Sequence, residues 1–75
     1  MVFTDIVEYN GKHYYIDSCW TSDHGYETMA FLCDSDGNVL SWEDLYCERY
    51  ATAAQMEIGH KKAIKNIKEG RFYND

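Results

Sequence analysis

The side chains best suited to bind a soft metal ion are Cys19, Cys33, Cys47, His24 and His60. Zinc takes four thiolate or imidazole ligands, and its structural sites usually draw two of them from one short knuckle. No C-x-x-C pair occurs, and only Cys19 and His24 lie close together in sequence. The arrangement left for zinc is His60 with Cys33 and Cys47, an alternative to the leading expectation of no cofactor. A thiol with a depressed pKa would instead suit redox or nucleophilic chemistry. The run Asp34-Ser35-Asp36-Gly37-Asn38 begins as a calcium loop does, but Val39 stands at its glycine position and Leu45 at its closing acidic position. A tight turn explains the same residues. The chain has no glycine-rich phosphate loop and no nucleophile elbow, so the expectation is a protein that is not an enzyme.

Charge points towards a protein partner. Residues 1–60 carry eleven Asp and Glu against Lys12 and Arg49; residues 61–75 carry five Lys and Arg against two acids. Cations late in a helix complement its dipole, which accounts for the basic end. The acidic part argues against direct contact with a nucleic-acid backbone and fits a partner with a basic surface. No apolar run reaches membrane-spanning length. An odd number of cysteines and an N-terminus without a signal-peptide pattern suggest a reduced, cytoplasmic protein.

These residues must be positioned by one small domain spanning residues 1–75. The anchoring element is a helix over about 53–69, with Thr52 as N-cap, Gln55 three residues on, and Gly70 as the left-handed residue that ends it. Ala53, Met56, His60, Ala63, Ile64 and Ile67 share one face, which puts His60 against the rest of the protein and Ile58 on the exposed side. Strands are expected over about 2–9, 12–20, 26–34, 38–42 and 45–50. Asn10-Gly11 closes the first hairpin and sets Val7 opposite Tyr14 and Asp5 opposite Ile16. Phe3, Val7, Tyr14, Ile16, Ser18 and Trp20 then form the inner face, and Tyr15 lies on the outer one. Asp36-Gly37 as a two-residue turn would set Cys33 opposite Leu40 and Phe31 opposite Trp42, an apolar ladder expected inside. Residues 41–44 could form a single helical turn, and residues 71–73 tuck the chain end back before a frayed 74–75. The fold class is α+β, an antiparallel sheet of four or five strands with one C-terminal α-helix packed on one face.

The run Tyr26-Glu27-Thr28-Met29-Ala30-Phe31, then Asp36-Gly37-Asn38-Val39, Trp42, Glu48-Arg49-Tyr50 and Gly59-His60, resembles small uncharacterised proteins of phages and prophages in Gram-positive bacteria. Acidic domains of that origin include inhibitors of host defence, anti-CRISPR proteins among them. The resemblance implies a phage-encoded inhibitor, cytoplasmic in the host bacterium, with a Cas effector nuclease as a candidate partner. The expected binding surface is Asp34, Asp36, Glu43, Asp44 and Glu48 as carboxylates that satisfy Arg and Lys, with Tyr15 and Ile58 as apolar anchors. Monomer and homodimer are both compatible with the pattern.

Overall fold

The computed structural model describes residues 2–72. Strands β1 (Val2–Tyr9), β2 (Lys12–Thr21), β3 (Gly25–Cys33) and β4 (Tyr46–Tyr50) precede helix α1 (Ala53–Lys68). The strands form one antiparallel sheet in the order β1-β2-β3-β4, and α1 packs across one face. This is the expected α+β architecture, with four strands.

The first hairpin has the register set by its turn. Asn10 and Gly11 both take positive φ, 53° and 81°, the geometry of a type I′ turn, and Tyr9 faces Lys12. Val7 therefore meets Tyr14 and Asp5 meets Ile16. The helix ends are also as the sequence marks them. Thr52 Oγ1 accepts the Gln55 N–H at 3.2 Å, and the Gln55 side chain accepts the Ala51 N–H at 3.0 Å, one residue before the usual capping-box partner. At the other end the Gly70 N–H donates to Ile67 and the Arg71 N–H to Asn66, with Gly70 at φ 78°, a Schellman motif.

The core lies between α1 and the inner sheet face. Val7, Tyr14, Ile16, Ala30, Tyr46, Ala63 and Ile67 are buried together, with Phe72 folded back onto Tyr14 and Tyr9. Full burial of a side chain such as Ile16 or Ile67 contributes about 1.5–3 kcal/mol relative to exposure. Phe72 thus tucks in as expected; Tyr73, Asn74 and Asp75 lie outside the described residues.

The segment between β3 and β4 departs from expectation. Residues 38–42 are not a strand: beyond β3 there is a single bridge between Cys33 and Val39, and the Leu40 N–H donates to Leu32. The turn takes three residues and not two. The Gly37 N–H returns to the Asp34 carbonyl, the Asp34 N–H donates to Asn38 at 2.9 Å, and Gly37 sits at φ 87°, a type I turn closed by a left-handed residue. One extra loop residue shifts the pairing by one, so that Cys33 meets Val39 and not Leu40. Leu40 thereby loses its place opposite Cys33 and is exposed. Residues 41–44 form no helical turn; Ser41 Oγ accepts the Glu43 N–H in a local turn. The strand expected at 45–50 is β4, paired directly with β3.

Candidate protein-interaction surface

Cross-strand pairing writes out the outer face of the sheet, the one that α1 leaves uncovered. One row runs Ile6, Tyr15, Phe31; the next Thr4, Asp17, Met29, Cys47; the next Val2, Cys19, Glu27, Arg49. The loop 34–45 folds over the first of these rows. Trp42 packs edge-on against Phe31 with ring centroids 5.2 Å apart, and Gly37 presses on the Ile6 side chain. Phe31 and Cys33 are buried, as the apolar ladder requires, but beneath this loop and not beneath the helix. The helix-side residues of β3 are those of the other parity, Thr28 and Ala30 among them. Trp42 itself remains 74 % exposed.

Carboxylates share this face and its loop with the aromatic pair. Asp17 and Glu27 stand on the outer face, and Asp36, Glu43 and Asp44 on the loop above it. Glu27 is 7 % exposed and meets Arg49 at 3.5 Å. Burial pushes the Asp17 carboxyl up from its ordinary range; His60 opposes the shift, and the nearby Glu27 adds to it. Asp34 has another job. Its carboxylate accepts the backbone N–H groups of Asp36 and Asn38, both at 2.9 Å, and the Asn38 side-chain amide at 3.1 Å. The Asn38 bonds, backbone first, hold its pKa below the usual value. Asp34 therefore shapes the loop, while Asp36, Glu43 and Asp44 are the ones displayed.

The expected binding set does not form one surface. Tyr15, Asp36, Glu43 and Asp44 belong to the outer face and its loop. Glu48 lies on the helix side of β4, where Lys62 reaches it at 3.4 Å, and Ile58 is on α1. The parity of β4 separates them: Tyr46, Glu48 and Tyr50 point to the helix side, Cys47 and Arg49 away from it. The expected set omitted Trp42, Phe31, Asp17 and Glu27. Parity shared with Tyr15 was the available signal for Phe31, Asp17 and Glu27; Trp42, in the loop, had none.

The sheet also divides the residues of the zinc alternative. His60 faces the inner side, whereas Cys33 and Cys47 stand on the outer side, so the trio is not brought together. Among the described residues no group of three or more His, Cys, Asp or Glu is placed to hold a metal ion. Each thiol is pushed up in pKa, by burial first and by neighbouring carboxylates second. That direction is opposite to the one a reactive thiolate needs.

His60 is instead the centre of a polar chain across the core. Its Nε2 lies 2.7 Å from Asp5 Oδ2, its Nδ1 2.6 Å from Ser18 Oγ, and Ser18 Oγ 2.5 Å from Thr28 Oγ1. A carboxylate only accepts, so Nε2–H donates to Asp5, and Ser18 Oγ links Nδ1 to Thr28 Oγ1. The Phe3 ring flanks the imidazole at 5.7 Å. Although Asp, His and Ser are aligned, Ser18 and Thr28 are wholly buried, and no substrate reaches the hydroxyl. The chain joins α1 to β1, β2 and β3 and has the form of a structural network. No family model, curated protein or solved structure matches the chain.

Proposed function

We propose that this protein is a non-enzymatic binding module that covers a basic surface of another protein with its outer sheet face and thereby inhibits it. The observation that carries this reading is Trp42, an exposed aromatic anchor seated on buried Phe31, on a face and loop that also carry carboxylates. Aromatic side chains dominate the energy of protein interfaces, and surrounding charge selects the partner and speeds encounter. Asp36, Glu43 and Asp44 supply that charge from the loop, and Tyr15 and Ile6 extend the apolar area beside the pair.

The resemblance to phage and prophage proteins supplies the partner class: a nuclease of host defence, such as a Cas effector, whose Arg and Lys normally hold phosphates. Carboxylates that occupy those cations exclude the nucleic acid. The test is inhibition of DNA cleavage by a panel of purified Cas effector nucleases, with binding measured at low and high salt. Wild type is expected to inhibit and to bind more weakly as salt rises. The combined change Asp36→Asn, Glu43→Gln and Asp44→Asn should weaken binding at low salt and flatten its salt dependence. Binding that ignores both salt and these substitutions would refute the acidic-surface reading.

A further inference from the structure

The β4 edge is a second surface of different character. Among the described residues β4 has β3 on one side and no strand on the other, so one row of its backbone N–H and C=O groups has no sheet partner there. Beside it runs an open groove of about 420 Å³ between β4 and α1, lined by Glu48, Arg49, Tyr50, Gln55, Ile58 and Lys62. Gly59 lets α1 lie directly on Tyr50 at the groove floor, because a Cβ there would overlap the Tyr50 ring and its hydroxyl. Ile58, 69 % exposed, lies in the groove wall. Proteins commonly guard such an edge with proline, lysine or a covering segment. Residues 46–50 contain no Pro and no Lys.

Charge indicates what fits here. The chain has a net charge of −6, so two copies repel one another over most of their surfaces. The groove carries cations as well as an acid, Arg49 and Lys62 beside Glu48. We propose that β4 pairs with β4 of a second copy, antiparallel about a twofold axis, and joins the two sheets into one with both helices on the same face. A twofold normal to the sheet keeps each residue on its own face, so opposed residues share parity. Centring the axis on Glu48 would oppose two carboxylates, and centring it on Arg49 two guanidinium groups, both unfavourable. Centring it on Cys47 opposes Cys47 to Cys47, Tyr46 to Glu48 and Arg49 to Leu45. Like charges are then apart. Arg49 of each copy also lies beside the acidic 43–44 segment of the other. This contact shares only Glu43 and Asp44 with the outer-face reading, which rests on Trp42 and Phe31, so either can fail without the other.

The test is sedimentation equilibrium of the reduced full chain over a wide concentration range, with bismaleimidoethane cross-linking and peptide mapping. A monomer–dimer equilibrium is expected, with Cys47 joined to Cys47 as the principal cross-link. Ile58→Lys, at an exposed site, should weaken dimerisation by at least about tenfold. Cys47→Lys, which opposes two cations on the axis, should abolish it, with circular dichroism unchanged for both variants. A chain that stays monomeric up to its solubility limit overturns the proposal and leaves the edge to a strand of a different protein. A dimer indifferent to both substitutions, or cross-linked through Cys19, overturns it as well.

Discussion

Replacing His60 by Leu isolates the cost of breaking the buried polar chain. The ring is 4 % exposed and bonded at both nitrogens, whereas the Asp5 carboxylate is half exposed and stays hydrated once its partner is gone. The loss therefore falls on Ser18 and Thr28, two buried hydroxyls of which only one can then donate to the other, in a site closed to water. An unsatisfied buried donor costs about 1–3 kcal/mol. A domain of this size has a total stability of about 4–11 kcal/mol. The single substitution should therefore lower Tm by roughly 5–20 °C. The triple variant His60→Leu, Ser18→Ala, Thr28→Val removes every orphaned group and should recover most of the loss, because replacing a whole polar network by apolar groups is far cheaper than halving it. Urea unfolding followed by tryptophan fluorescence gives both values. A single variant as stable as wild type, or a triple variant less stable than the single one, would refute the reasoning.

Gly59→Ala should destabilise the protein by about 1–3 kcal/mol through its clash with Tyr50, although Ala favours helix; thermal melting checks this. Asp17→Asn should be more stable than wild type at neutral pH. The folded-state pKa of Asp17 is raised, so its contribution is fully present below the ordinary carboxyl value, 3.8, and is lost as pH rises through the folded value. Urea titrations at several pH values should show that component missing in the variant. Asp34 has the opposite sign: its pKa is lowered, so its contribution is present above 3.8 and is lost as pH falls through the folded value. Asp34→Ala should accordingly loosen residues 34–38, seen as faster amide exchange at Asp36 and Asn38, whereas Asp36→Ala should leave their exchange unchanged.

The helix and the first hairpin were legible in the sequence because each carries local chemistry: Thr52, Gln55 and Gly70 at the helix ends, Asn10-Gly11 at the turn. His60 could be placed against the sheet from periodicity alone, but its partners could not. Asp5, Ser18 and Thr28 lie 55, 42 and 32 residues away and meet it only through the register of three strands. The loop at 34–38 was misread because Asp36-Gly37 also suits a two-residue turn; the capping bonds of Asp34 select the three-residue form. The aromatic pair lies on the loop-covered outer face because the β2–β3 register sets Phe31 beside Tyr15. The binding set was scattered for a related reason, since parity within β4 turns Glu48 away from Cys47 and Arg49.

The most direct test of the binding account is hydrogen exchange of the protein mixed with a Cas effector nuclease. Protection over residues 34–45, with exchange in α1 unchanged and the effect lost in Trp42→Ala, is the predicted result. Protection confined to residues 53–68, or none on mixing, would contradict it.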